Sequence, residues 1–271
     1  MPDKITVGNV EVVAILDTPM NFPFAAFFPS IDQSEFEPYR DLYPEAFNPN
    51  GNFQTYAQAS VLRSGGQTVL VDTGVGPGMN GALLNDLQAK GVPPESVDIV
   101  VFTHLHADHV GWNLSSDNVP NFPNARYLAP QADWDAAVAG SPATAGPHFN
   151  TQVEPLKALD VLDLFSGEKA ITDEITAFPS PGHTPGHTSL LISSGGEKAL
   201  IAGDLAHHPA QVDRPEWCCG FDADPETAIA SRAKAFDQLE AEGFVARINH
   251  FAPPGFGRLV RKDGKRIFQA L

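Results

Sequence analysis

Cysteine is almost missing from this chain: its 271 residues hold two, Cys218 and Cys219, and they are neighbours. Adjacent cysteines close a disulfide only in strained geometry. A disulfide scaffold is therefore excluded, and a reduced, cytosolic pair with a packing role is expected. Basic side chains are scarce too: 17 Lys and Arg stand against 33 Asp and Glu, a formal net charge of −16. So acidic a surface repels phosphate backbones and anionic membranes, which argues against nucleic acid and membrane as partners. No apolar run reaches the roughly 18 residues a membrane span needs, and no basic-then-apolar leader opens the chain. A soluble, cytoplasmic protein is the expectation. Low-complexity linkers and internal repeats are also lacking, which favours one domain over residues 1–271.

What the chain does have is histidine beside aspartate. Thr103-His104-Leu105-His106-Ala107-Asp108-His109 follows the apolar run at 97–102. His104 and His106 are two apart, so on extended chain they leave the same face. Asp108 and His109 come where the chain must turn. Imidazole and carboxylate are the side chains that hold a hydrolytic divalent ion. Further candidates end other strand-like runs: His183 in Pro181-Gly182-His183, Asp204 after Ala199-Leu200-Ile201-Ala202-Gly203, His250 after 244–249, and Asp72 in Val71-Asp72-Thr73-Gly74. A structural zinc site needs four ligands in all. His104, His106, Asp108, His109, His183, Asp204 and His250 make seven, which suits two ions sharing a carboxylate.

The rest of the chain alternates strand and helix signals. Residues 5–16 read as a strand pair, and 59–63 with 67–72 flank Ser64-Gly65-Gly66, a hairpin turn. Leu83, Leu84 and Leu87 before Gly91 predict a helix with a glycine stop. Another short helix is expected at 130–139, and strands at 161–165, 175–178, 188–193 and 198–202. Asp224-Pro225-Glu226 opens a further helix with a cap, a first-turn proline and an acid; Ile229, Phe236 and Leu239 form its stripe and Gly243 ends it. Residues 17–56 carry Phe22, Phe24, Phe27, Phe28, Phe36, Phe47 and Phe53 with little periodicity. So aromatic a segment is ordered, and it reads as a lid over an apolar pocket or as the arm of a homodimer. Phe28 and Trp134 are the candidate aromatics for the substrate pocket. Residues 139–153, with His148, predict a surface loop near the mouth.

Across nearly its full length the chain resembles the metallo-β-lactamase fold hydrolases, through the motifs at 71–74, 104–109, 181–183, 203–204 and His250. The resemblance implies a four-layer αβ/βα sandwich. It implies that His104, His106 and His183 bind one ion, that Asp108, His109 and His250 bind the second, and that Asp204 bridges. It makes Asp72 an acid that orients a ligand, and His187 an orienting or structural residue. True β-lactamases of this fold usually lack the bridging aspartate. The branch of N-acyl homoserine lactonases and methyl parathion hydrolases fits better, through 203–209, Phe221-Asp222-Ala223-Asp224-Pro225, Arg232 and 249–257. Where the best-known lactonases place a substrate-contacting tyrosine, this chain has His207, which can still donate a hydrogen bond to a carbonyl.

Two divalent ions about 3.5–4 Å apart hold a hydroxide near neutral pH and polarise a carbonyl or phosphoryl oxygen. The expected reaction is therefore hydrolysis. The resemblance, with the Phe-rich lid, implies a small neutral ester as substrate: a lactone first, N-acyl homoserine lactones above all, and a phosphotriester or aryl ester second. Asp108 is positioned to pass a proton to the leaving oxygen. Zinc is the expected metal; manganese, iron and cobalt suit the same nitrogen and oxygen ligands.

Overall fold

The computed structural model describes residues 2–271. The chain begins with a meander: β1 (Lys4–Val7), β2 (Val10–Phe22), β3 (Phe53–Ser64) and β4 (Gln67–Val71) pair antiparallel in sequence order. Between β2 and β3 lies the aromatic segment, with the single helical turn α1 (Phe24–Phe27). After α2 (Leu83–Ala89) the sheet continues in parallel with β5 (Ile99–Val101), β6 (Arg126–Pro130) and β7 (Leu162–Phe165). The crossovers carry α3 (Ala107–Val110), α4 (Gln131–Val138) and α5 (Glu154–Ala158).

The second sheet contains β8 (Lys169–Ala170), β9 (Ile175–Pro179), β10 (Thr188–Ser194), β11 (Glu197–Ile201), β12 (Val245–Arg247), β13 (Phe256–Lys262) and β14 (Lys265–Ala270). The long helix α6 (Pro225–Glu242) connects β11 to β12, the parallel pair of this sheet. Among the described residues no helix is long and apolar enough to cross a membrane.

Side-chain alternation explains why these strands stack in layers. In β11, Ala199 and Ile201 face the first sheet, where they meet Val69, Val71 and Val101. Leu200 points the other way, onto Phe236 and Leu239 of α6. In β4, Leu70 points outward, onto the layer of Leu83, Leu87 and Leu156. Three apolar layers thus separate helix from sheet, sheet from sheet, and sheet from helix. The result is the four-layer αβ/βα sandwich.

Local details differ from expectation in ways that matter. The helix α6 is capped as its sequence indicates: the Asp224 carboxylate accepts from the Thr227 N–H, and Gly243 is left-handed at φ 68°. Its buried stripe, however, is Ala228, Arg232, Phe236 and Leu239, with Ile229 only half-buried. A guanidinium occupies the core side because backbone carbonyls await it there. The strands β2 and β3 also run further than expected, so the irregular arm shrinks to residues 23–52. Phe24, Phe27, Phe28, Phe36, Phe47 and Phe53 are all buried in one cluster with Leu205, Val212 and Trp217. The arm therefore packs on its own chain; its one large exposed apolar side chain is Leu42. Burial of each such ring contributes about 1.5–3 kcal/mol.

Candidate metal centre

The candidate ligands gather at the edge where both sheets end. The strand β5 stops at Val101, and residues 102–106 run as a loop into α3. His104 and His106 thus come from the loop, Asp108 and His109 from the helical turn. Two glycines permit the crowding. At Gly182 (φ 126°) a Cβ would sit 2.1 Å from the Ala228 nitrogen, so the His183 loop touches the first turn of α6. At Gly203 (φ 59°) a Cβ would come within 2.7 Å of His187 Nε2.

His106 Nδ1 lies 3.0 Å from both His104 Nε2 and His183 Nε2. Asp204 Oδ2 is 3.6 Å from His104 Nε2 and 3.4 Å from His183 Nε2. On the other side, Asp204 Oδ2 is 2.8 Å from His250 Nε2, and Asp204 Oδ1 is 3.3 Å from His109 Nε2. Asp108 Oδ2 stands 3.7 Å from both His109 Nε2 and His250 Nε2. Ligand atoms of His104, His106, His183 and Asp204 fit within 4.8 Å of one another, as do those of Asp108, His109 and His250. Asp204 is the residue that touches both groups.

These residues fit two cations. His109 Nε2 and Asp204 Oδ1 are buried, face each other and have no hydrogen-bond partner. Three imidazole nitrogens pointing at one spot need an electrophile between them. The titration pattern agrees. Burial pushes His104 well below its ordinary value, and with His183 it draws His106 down to about 3. Burial also opposes charge on His109 and His183, but Asp204 with Asp108 and Asp72 holds His109 well above normal, and Asp204 with Asp222 does so for His183. Burial would raise Asp204; His109, His250 and His104 pull it well down instead. The acids thus favour positive charge on His109 and His183, the charge that bound cations would supply in place of protons.

A ring of acceptors orients the imidazoles. Asp72, at φ 63°, accepts from the Thr103 N–H and Oγ1, from His109 Nδ1 at 2.9 Å and from Asn249 Nδ2. Left-handed backbone at a non-glycine is costly and marks a constrained position. His187 is buried with Nε2 accepting the Asp204 N–H at 2.8 Å and Nδ1 at Ser180, so both ring nitrogens are engaged in positioning and neither faces the cluster as a free ligand atom.

Two acids in this ring were not picked out as orienting residues from the sequence. Asp222 accepts from His183 Nδ1 at 2.9 Å and from Arg232 Nη2 at 3.1 Å. Arg232 also donates to the carbonyls of Leu205, Pro215 and Trp217, tying down the segment after Asp204. Asp133 accepts from the Leu105 N–H, Thr184 Oγ1 and the Gly186 N–H, joining the two loops that carry His104, His106 and His183.

A cavity of about 290 Å³ opens over the cluster. His106, Asp108, His183, Asp204, His207 and His250 make its floor. Its walls are apolar: Met20, Phe22, Phe27, Met79 and Phe221. Pro142, Ala143 and His148 of the predicted mouth loop also reach it. The expected aromatics do not. Phe28 turns into the arm's own cluster, 5.0 Å from Phe36 and 5.4 Å from Phe53. Trp134 packs on Phe149, 5.1 Å away, under the first sheet. The turn of α1 explains the swap, because it aims Phe27 rather than Phe28 at His207. His207 is 2% exposed, with Nε2 3.3 Å from Asp204 Oδ2. Burial lowers it, but Cys219 and Asp204 carry it to about 9.

The family model of the metallo-beta-lactamase superfamily matches residues 54–241. An N-acyl homoserine lactonase of Bacillus thuringiensis is 23% identical over 172 residues, 62% of this chain and 61% of that protein. Another, from a Bacillus species, is 25% identical over 155 residues, 56% of each. The match thus spans little more than half the length of these curated relatives. A solved structure described as hydrolase AbOPH of the beta lactamase superfamily superposes with TM-score 0.87 at 27% identity, covering 99% of this chain and 96% of that one. One described as AidC, a dizinc quorum-quenching lactonase holding a product, gives TM-score 0.84 at 25% identity over the same shares.

Proposed function

The chain belongs to the metallo-beta-lactamase superfamily, and on that premise we propose that it is a two-metal hydrolase opening neutral lactones with an apolar tail, N-acyl homoserine lactones first. The observation that carries the reading is the cavity: a floor of imidazoles and carboxylates under walls of Met and Phe. Such a site takes an uncharged polar head at the bottom and an alkyl or aryl tail along the walls. The lactonase relatives support the same choice.

His104, His106 and His183 would hold one ion, Asp108, His109 and His250 the other, with Asp204 between them. The pair, when bound, supplies a nucleophile available near neutral pH and Lewis-acid polarisation of the carbonyl. The protein's own groups do the rest. Asp72 and Asp222 keep the Nδ1 atoms of His109 and His183 turned away from the ions, so that Nε2 is free to bind. Asp108 is half-buried on the cavity floor, and although burial opposes its charge, His109 and His250 hold it below its ordinary value; as a carboxylate it can take up the proton lost by the attacking water and pass it to the leaving alkoxide. His207 Nε2, on the same floor, donates to the ester carbonyl and orients the ring. Phe22 at the end of β2 and Phe27 of the aromatic arm exclude water from the tail. Zinc suits this ligand set, and the free thiols Cys218 and Cys219 support a cytoplasmic location.

A second reading is hydrolysis of phosphotriesters or aryl esters, which the uncharged walls also favour. The test is a panel of N-acyl homoserine lactones given to zinc-loaded protein, with acid release read by pH-stat. Turnover that disappears in Asp204→Ala supports the lactonase. No turnover by protein shown to hold two ions overturns it, and triesters and aryl esters then become the panel.

A further inference from the structure

Cys219 lies behind the cluster, with no part in the cavity just described. It is 4% exposed, and its Sγ donates to Asp222 Oδ1 at 3.5 Å. A ligand atom from each of Cys219, His207 and His183 falls within 4.8 Å of the others. His207 turns Nε2 toward Asp204, while its Nδ1 is buried and has no hydrogen-bond partner. A buried imidazole nitrogen without a hydrogen-bond partner is a costly arrangement, and an ion held between it and the neighbouring sulfur would resolve it.

There is also a route in. A second cavity, of about 770 Å³, opens on the other side of residues 217–222, with Cys218, Cys219 and Asp222 on its wall. Asp32, Glu35 and Glu216 line it as well, against one arginine, Arg214. Carboxylates at a mouth concentrate cations. The thiol is thus approached through an acidic vestibule separate from the substrate cavity.

We propose that Cys219 and His207 form an additional site for a single thiophilic metal ion, with His183 as its third ligand, and that filling it inhibits the hydrolytic centre. Sulfur and imidazole together select soft or borderline ions over magnesium or calcium. On binding, the ion takes the Cys219 sulfur as thiolate and the thiol proton leaves to solvent. Ligation through Nδ1 draws the His207 ring toward Cys219, and because His183 already has Nε2 at the hydrolytic cluster and Nδ1 on Asp222, its binding to the added ion comes at that centre's expense. The inhibitory half of the inference rests on the function proposed above; the existence of the site does not.

The experiment is a titration of cadmium chloride into protein already loaded with two equivalents of zinc. Thiolate-to-cadmium charge transfer is read in the ultraviolet and hydrolysis is followed in parallel. The expected result is one further equivalent bound per chain with the sulfur band, and hydrolysis falling in step. Cys219→Ser abolishes the band, His207→Gln weakens binding at least tenfold, and Cys218→Ser keeps the band. The site is overturned if stoichiometric cadmium gives no sulfur band in the unmodified protein, or if the band follows Cys218 instead. A full band with undiminished hydrolysis overturns the inhibition alone. A protein that opens no lactone but gives the band refutes the substrate reading and leaves the site standing.

Discussion

His208 should make this protein acid-sensitive by an amount that can be worked out beforehand. The ring is fully buried, with Phe36 at 5.0 Å, Phe47 at 5.4 Å, Phe53 at 5.5 Å and Phe24 at 6.0 Å. Nδ1 accepts from the Ala210 N–H, and Nε2 has no partner. Nothing there stabilises a cation by hydrogen bonding, and burial draws the group down to about 3. In the unfolded chain it titrates near its ordinary value of about 6.5. The folded value is the lower one, so below pH 6.5 or so the unfolded state binds the proton and the folded state does not. Stability is complete above that value and is lost as pH falls from there toward 3. At about pH 5 the gap is roughly 1.5 units, and at about 1.36 kcal/mol per unit the loss is about 2 kcal/mol.

His187, also drawn down to about 3 by burial, adds a slope of the same sign, so His208 must be isolated by difference. His208→Asn keeps an acceptor for the Ala210 N–H and removes the titrating ring. Urea unfolding of metal-free parent and variant, at about pH 7 and about pH 5, gives two losses. The parent should lose about 2 kcal/mol more than the variant over that interval. The variant starts lower, because a cavity opens among the phenylalanines, but its starting point cancels in the comparison. Equal losses in the two proteins would show that His208 is not held neutral, and the argument from its surroundings would fail.

Three other outcomes follow from the site. Asp222→Asn should lower zinc affinity or turnover by about 10–100-fold, because it loosens the orientation of His183; metal content and kcat/KM measured together check it, and a change confined to thermal stability would contradict it. Zinc uptake by metal-free protein should release protons near neutral pH and weaken as pH falls, because His109 and His183 hold protons above their normal range until an ion displaces them. Calorimetry in two buffers of different ionisation enthalpy reads that release, and identical heats would refute it. Phe221→Ala should raise KM for long-chain lactones by about fivefold, the loss of roughly 1 kcal/mol of wall contact, while short-chain substrates change little; equal effects on both would remove Phe221 from the tail-binding wall.

The gathering of the candidate ligands was legible in the sequence because they sit at the ends of apolar runs, and strand ends are where such folds expose side chains. Position in the chain was enough to suggest a shared rim. Asp133 and Asp222 were not legible as orienting groups. Each is one acid in a loop or helix start, and its partners lie 28–53 and 10–39 residues away. Only the folded crossovers bring Asp133 to Gly186 or Asp222 to His183. The α6 stripe failed for a related reason. An arginine on a helix is expected in water, yet Arg232 is 1% exposed because the carbonyls of Leu205, Pro215 and Trp217 surround it. The choice between Phe27 and Phe28 had no periodicity to decide it until the turn of α1 was known.

His207 and His208 show why residue type alone could not assign this loop. The two are neighbours, and His208 has extended backbone at φ −120° and ψ 136°, so their side chains leave opposite faces. One face looks at Asp204, and His207 is carried to about 9 there. The other looks into the aromatic arm, and His208 is drawn down to about 3. Gln211 Oε1 accepts from both backbone N–H groups, which fixes the turn that separates the two fates. The arm closes the arrangement from outside: Phe24, Phe36, Phe47 and Phe53 grip His208, while Phe27 lies 5.3 Å from His207 and forms part of the cavity wall. The aromatic segment is thus more than a cover. By packing on one histidine it sets the direction of the other, and so couples the apolar wall that would receive a tail to the polar floor where the chemistry would occur.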